Sequence, residues 1–517
     1  MGNSDKETGT VKERKHLFGS TEKSDFILNM DFDGAQKMCG AFCLASMAIV
    51  SALAIPAYFT QEVGLYTEGN YTHVLSENFI FYSAALMMLM GWLGMLVFRI
   101  ACTKGLVKLS SNKLMSLGLG VIAVSLISGL CSVNITTSVF GLLGRHEGIL
   151  SIAACFGLFA VAAAVSDRKW RQRVCDGVVI LGALNAVVAF LQAIPATADL
   201  THNFFTRLFL RIAMDPDESA GEYFYEGGIN YLLGVYKDAR AATGFMISPH
   251  ALAVLMTVGY VLALSGSAFA ESVKRKVLYS AAAVAMAAAA CLTLTVTGVV
   301  GIAAGGATVF VMATVKFAKG SKGAAAAAIP LLLSAAVMIV IMMNGSERQD
   351  EAIIFTDGYI VRSTTMYGRM SGDMEEEIYS FLRHDGAFVT GEKWLGGMGP
   401  DNGFSYISTY QLSTDRFFNI FLDHSAQLGI PGAVLWGLFL LVTLIKGFKA
   451  FAGFIAGRED YAAAGACAAL IAYLAQGWFN TTWATTEYIV YILIGVVWSV
   501  TILGPRSEEQ DEDKQAA

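Results

Sequence analysis

The feature that most limits what this chain can fold into is a series of unbroken apolar runs. About twelve of them, each about 18 to 25 residues long, cover roughly 38–59, 79–101, 114–133, 148–166, 175–195, 249–267, 277–294, 298–315, 324–343, 427–446, 462–479 and 486–504. A helix rises ~1.5 Å per residue, so a run of this length crosses ~30 Å of hydrocarbon. A transmembrane barrel would alternate apolar and polar residues, whereas "AALIAYLAQGW" is continuous. The composition agrees, with 55% hydrophobic residues, 15% charged residues and a mean hydropathy of +0.54. The expectation is an all-α, polytopic transmembrane bundle of about twelve spans, with a large, partly helical extracytoplasmic loop between spans nine and ten.

Lysine and arginine in the short loops set the orientation. Arg99, Lys104, Lys108 and Lys113 form one basic loop, and Arg168, Lys169, Arg171 and Arg173 the next on that side. Lys274, Arg275 and Lys276 follow, then Lys316, Lys319 and Lys322, while residues 60–78 hold no Lys or Arg. Both termini are therefore expected in the cytoplasm, and loops 199–247 and 345–426 outside. Residues 1–36 are polar and read as a disordered cytoplasmic tail, 37–504 as the bundle, and 505–517 as an acidic cytoplasmic tail. No early apolar stretch precedes a small-residue cleavage site, so the first span is expected to stay in the membrane.

The eight cysteines lie in or beside apolar runs. Cys39 and Cys43 share a helix face, but no further His or Cys accompanies them, so they are read as small buried hydrophobes. No metal, cofactor or nucleic-acid partner is expected. Loop 199–247 opens with "THNFFTRLFLRIAM", whose apolar residues recur at helical spacing while Arg207 and Arg211 stand four apart. Such a helix suits the outer leaflet; its arginines suit a lipid-linked phosphate or ordinary headgroups. In the second loop, "GDMEEEIYSFLRHDG" reads as a helix capped at Asp373, with Arg383 and His384 at its C-terminal end.

Three charged clusters fall at span ends and, in this topology, on one outer face. "GRHEG" holds Arg145 and Glu147; "DARAATGFMISPHALAVL" holds Arg240 and His250; "STDRFFNIFLDHSAQLGIPG" holds Asp415, Arg416, Asn419, Asp423 and His424. Ionisable groups at membrane depth invite a functional explanation. There is no phosphate loop, no metal-ligand spacing and no nucleophile elbow. Arginines at an outer mouth suit an anionic substrate presented from the lipid, such as a lipid pyrophosphate. They would neutralise a departing diphosphate while a general base activates a hydroxyl.

These segments, in this order, resemble the O-antigen ligase and O-antigen polymerase family of bacterial membrane glycosyltransferases. The resemblance rests on "GRHEG" at 144–148, "FLQAIP" at 190–195, "RAATGFMISPHALA" at 240–253, "WLGGMGPDNGF" at 394–404 and "DRFFNIFLDHSAQLGIPG" at 415–432. It covers about residues 80 to 500. It implies a metal-independent enzyme of the bacterial cytoplasmic membrane. Such an enzyme moves a glycan from undecaprenyl pyrophosphate to a glycan, lipid or protein acceptor at the outer face. Arg145, Glu147, Arg240, His250, Arg207, Arg211 and Asn419 would then bind substrate, and Arg416 and Asp415 or His424 would carry the chemistry. The family pattern sets His-Asn eleven residues before a Gly-x-x-Gly turn; this chain has Phe418-Asn419 before Gly429. Val296-Thr297 likewise stand where relatives carry Ser-Arg. On a helix His424 would point about 120° away from position 418. Two other functions fit the same residues: a noncatalytic binder of lipid-linked glycan, and a lipid-glycan flippase or transporter. Aromatic residues Tyr223, Phe224, Tyr225, Trp394, Phe404 and Tyr406 suit sugar stacking or interface anchoring.

The topology is directly testable with cysteines introduced at Ser363 and Ser321. An impermeant thiol reagent applied to intact cells is expected to label the first and spare the second; the reverse pattern would invert the arrangement.

Overall fold

The computed structural model describes residues 30–60, 64–67, 70–73, 76–103, 115–141, 147–194, 242, 244–246, 249–293, 295–317, 321–344, 352–356, 359–363, 373–410, 416–482 and 484–500. Each of the twelve apolar runs is helical over most of its described residues. In chain order the helices are α1 (Phe32–Thr60), α2 (Ser76–Thr103), α3 (Met115–Leu130), the short α4 (Ile135–Phe140), α5 (Ile149–Ala163) and α6 (Arg168–Ala193). They continue with α7 (Pro249–Phe269), α8 (Val273–Leu292), α9 (Val296–Lys316), α10 (Ser321–Asn344), the loop helix α11 (Asp373–Glu392), α12 (Ile420–Ile455), α13 (Tyr461–Gln476) and α14 (Ala484–Ser499). Among the described residues six helices are long and apolar enough to cross a membrane: α6, α7, α8, α9, α12 and α13 with the turn after it. The chain is thus a helical membrane protein. Among the described residues strands occur only as two antiparallel hairpins, Gly64–Thr67 with Asn70–His73 and Ala352–Thr356 with Tyr359–Ser363. Asp357-Gly358 between the second pair is a hairpin signal that the helix-only expectation passed over.

Helix α7 is the axis of the bundle. "PHALAVLMTVGYVLALSGSAF" is apolar on every side, and its membrane-length window is 94% buried. Helices α6, α8, α9, α10 and α13 pack around it, while α5 lies between α2 and α14. Hydrocarbon provides no hydrophobic drive between helices, so close backbone approach matters more. At Gly91 and Gly157 the α2 and α5 backbones touch: a Cβ on Gly157 would stand 2.1 Å from the Gly91 oxygen.

Helix α12 is interrupted at Gly429, whose φ of 70° and ψ of 170° lie outside the helical region. The break frees backbone groups in apolar surroundings, and the loop after α11 takes up three of them. Met398 N donates to the Ala426 oxygen at 2.8 Å and Gly399 N to the Gln427 oxygen at 2.9 Å, while Ile430 N donates to the Trp394 oxygen at 2.7 Å. The Ser128 hydroxyl adds a 2.6 Å bond to the Gln427 oxygen. Pro431, one residue past Ile430, has no N–H to satisfy.

Helix α11 differs from its expected form. It runs on to Glu392, so Arg383 and His384 lie mid-helix. Gly386 does not end it, because the glycine packs flat on the Phe417 ring, where a Cβ would lie 2.7 Å away. Tyr406, expected as a sugar platform, is buried in the loop's own core with Val389, Met398 and Phe417. The cysteines are free and mostly buried as expected, but Cys131 is exposed.

The backbone contact around the break sets a stability prediction. A Cβ at Gly397 would stand 2.2 Å from the Gln427 oxygen and one at Gly429 2.7 Å from the Leu395 oxygen; Gly437, on the same helix, has nothing within 4 Å. Gly397→Ala and Gly429→Ala are each expected to cost at least ~1–2 kcal/mol, from left-handed strain plus the clash. Gly437→Ala should be neutral or stabilising by up to ~1 kcal/mol. Thermal unfolding of the three variants in one detergent separates these outcomes.

Candidate functional site

The site forms where the α12 break, the loop after α11 and the start of α5 meet. Arg416, immediately before α12, is buried at 3% exposure. Its Nη2 donates to Glu147 Oε2 at 2.7 Å, and its Nη1 to the Thr482 oxygen at 2.5 Å. Glu147 sits just before the N-cap of α5, and its backbone N–H donates to Asp401 Oδ2 at 3.2 Å. Asp401 belongs to "GPDNGF" and holds a φ of 55°. Beside it the Asn402 amide donates to the Asn134 oxygen at 2.8 Å and Ser138 Oγ at 2.9 Å, clamping this loop onto α4.

Residues 417–424 are built by local rules. Phe418 has a φ of 45°, and helix α12 starts only at Ile420. The 120° offset on a helix between positions 418 and 424 therefore does not apply. Asn419 is the N-cap: its Oδ1 accepts from Phe421 N at 3.1 Å and Leu422 N at 3.2 Å. Its side chain thus has a structural duty. Asp423 Oδ1 accepts from Phe417 N at 2.8 Å, closing the turn from the other side.

His424 points into a cavity of about 60 Å³ lined also by Glu147, Cys155, Gln427, Trp436, Thr482, Glu487 and Tyr491. Its Nδ1 lies 2.7 Å from the Ile420 oxygen. A carbonyl only accepts, so Nδ1 carries the proton, leaving Nε2 as the basic nitrogen of the neutral ring. The ring stacks on Trp436 at 3.9 Å between centroids. Twelve residues of unbroken helix would separate the two backbones by ~18 Å, so the break at Gly429 creates this contact.

His250 is 2% exposed, and neither ring nitrogen has a hydrogen-bond partner among the described residues. It packs edge-on against Phe418 at 5.2 Å between centroids. Its backbone oxygen accepts from the Asn480 amide, and Asn480 Oδ1 accepts from Thr481 N at 2.8 Å, leading towards Arg416. Thr297, one of the two departures from the family pattern, donates to the Phe479 oxygen at 3.0 Å.

Arg416, Glu147 and His424 thus share one place, with Asn419 and Asp423 shaping its rim and His250 behind Phe418. Arg145, Arg207, Arg211, Arg240 and Asp415 lie outside the described residues, as do Tyr223, Phe224 and Tyr225. Sequence inspection missed Glu487, which lines the cavity and accepts a hydrogen bond from the Tyr473 hydroxyl. A single carboxylate within "TTEYIVYILIGVV" was the available signal. It also missed Asp401 and Asn402, whose roles arise only when the loop docks. Among the described residues no group of three or more His, Cys, Asp or Glu could hold a metal ion.

The Arg416–Glu147 pair predicts a coupled stability effect. Removing one partner strands a buried charge, so Arg416→Gln alone is expected to cost about 3–5 kcal/mol. The Glu147→Gln/Arg416→Gln double variant should recover part of that. Additive losses in a double-mutant cycle would show that the pair is uncoupled. No family model matches the chain, and no curated protein matches it.

Proposed function

We propose that this chain transfers or polymerises a polyprenyl-pyrophosphate-linked glycan onto an acceptor hydroxyl at the outer face of a bacterial cytoplasmic membrane. Its expected form is the twelve-span topology with both termini inside. The observation that supports this most is convergence. "GRHEG" lies about 250 residues before "WLGGMGPDNGF" and "DRFFNIFLDHSAQLGIPG", yet the three meet beside one small cavity, through Arg416–Glu147, Glu147–Asp401 and the loop's bonds to the α12 break. These are the segments that carry the resemblance to the O-antigen ligase and polymerase family.

The roles follow from the chemistry present. His424 Nε2 accepts the proton of the attacking hydroxyl, while Nδ1–H on the Ile420 carbonyl fixes the tautomer. Arg416 offers a planar, permanently charged donor fork to the departing diphosphate. Glu147 holds that fork in place until the anion competes for it. Arg240 and Arg145 join Arg416 in this proposal. A cavity of about 60 Å³ admits a few water molecules or a hydroxymethyl group. A sugar needs far more, of the order of ~300 Å³ or above. Substrate entry therefore requires this space to widen. Phe418 and the buried His250 pack on each other just before the N-cap of α12.

The decisive experiment is an in vitro transfer assay with a polyprenyl-pyrophosphate glycan. His424→Ala should lower the rate by roughly 10²- to 10⁴-fold. Arg416→Ala and Arg240→Ala should each lower it by ~30- to 1000-fold, with lysine restoring part. Phe418→Ala should act chiefly on stability. A wild-type protein that binds several such donors without transferring them would instead identify a noncatalytic glycan binder.

A further inference from the structure

Away from this site, a lateral groove of about 750 Å³ runs between α8 and α10, floored by α6 and α7. Its walls are almost entirely apolar: Ala281, Ala285 and Ala288 leave the space on one side, with Leu333 and Ile341 facing them. A volume of this size falls in the range of built ligand pockets, ~300–1,000 Å³. From Lys276 to Ala288 the groove follows twelve residues of α8, or ~18 Å at 1.5 Å per residue. That is close to the hydrocarbon depth of one leaflet, about half of ~30 Å.

The groove has one charged group, and it lies at one end. Lys276 is half-buried, and no carboxylate among the described residues pairs with it. Lys274 and Arg275 are exposed on the same turn, against Glu271 as the nearby acid in the chain. Asp176, the acid that α6 brings nearest this end of α8, is held by Gln172 and the Tyr279 hydroxyl. The groove's hydroxyls are also engaged: Ser280 donates to the Lys276 oxygen at 2.8 Å and bonds Ser267 at 2.6 Å. Three cations in the first turn of α8 oppose the helix dipole, whose positive end is there, and an anion would relieve them. The polar end of the groove therefore calls for negative charge, and the rest for hydrocarbon.

We infer that this groove holds an anionic glycerophospholipid, with its phosphate at Lys276 and its acyl chains along α8 and α10. The headgroup end is the α7–α8 turn, on the same side as Arg168 and Lys169 at the start of α6. This is the membrane face opposite Arg416, so the bound lipid is not the glycan donor seated for reaction. The groove instead serves as a structural site that fills the gap left by the alanines of α8.

Native mass spectrometry of the full chain in detergent, titrated with phosphatidylglycerol or phosphatidylethanolamine of the same acyl composition, tests this. One phosphatidylglycerol should be retained preferentially. Lys276→Gln should weaken it about fivefold, the effect of one basic group near a membrane surface. Ala285→Trp should remove the bound lipid by filling the groove, with its unfolding midpoint checked in lipid-free detergent; if it does not fold, Lys276→Gln alone decides. Equal retention of both lipids, or wild-type retention in Lys276→Gln, would mean ordinary annular lipid and overturn the inference. Displacement by inorganic phosphate would also overturn it, because the phosphate would then bind without the chains.

Discussion

A backbone amide or carbonyl in apolar surroundings has to find a partner within the protein, and this requirement organises the site. Helix α12 cannot break at Gly429 unless something takes up the groups that the break releases. The loop at 394–399 does so with its own backbone, donating at Met398 and Gly399 and accepting at Trp394. Backbone-to-backbone contact leaves no room for side chains, which is why Gly397 and Gly429 face each other's strands of chain. Once the break exists, His424 and Trp436 come together, and the cavity between α3, α5, α12 and α14 has its wall. Loop, break and histidine are one unit.

Two buried arginines tie the ends of the bundle. At the site, Arg416 joins the chain before α12 to Glu147 before α5 and to the Thr482 carbonyl. At the opposite end, Arg171 of α6 binds Asp460 at 2.7 Å and Glu459 at 3.2 Å. Asp460 is itself the N-cap of α13, accepting from Ala462 N and Ala463 N. In each case the charge is paid back by geometry: several donors meet several acceptors, so no described ion in these two clusters is left alone. The difference lies in what surrounds them. Arg416 adjoins a cavity with a basic nitrogen and a second carboxylate, Glu487, whereas the Arg171 cluster is packed against helix termini. Of the two, the Arg416 cluster is the one beside a cavity with further ionisable side chains.

The contacts of the loop differ in kind from those of the bundle core. The loop after α11 is held by hydrogen bonds to α4 and α12 and by Arg383, which donates to the Trp478 carbonyl and lies over the Trp478 and Phe479 rings. These are separable contacts along one edge, unlike the continuous packing around α7. The lateral groove beside Lys276 lies at the other end of the bundle.

The sequence by itself determined the bundle. Apolar runs of membrane length become helices because a helix satisfies its own backbone in hydrocarbon, and each of the twelve runs is helical over most of its described residues. It also marked Arg416, Glu147 and His424 by their unusual charge at span ends. It did not reveal Glu487, since one carboxylate in an apolar helix gains meaning only from Tyr473 and the cavity beside it. Nor could it tell that Asn419 would be spent as a helix cap, or that helix α11 would run past Gly386. The angular argument linking positions 418 and 424 depended on helix where the backbone turns instead, at a φ of 45°. Tertiary structure decided these points for a single reason. Periodicity reports which residues face hydrocarbon, but the partner of a polar group lies at a distant position, and only packing brings the two together.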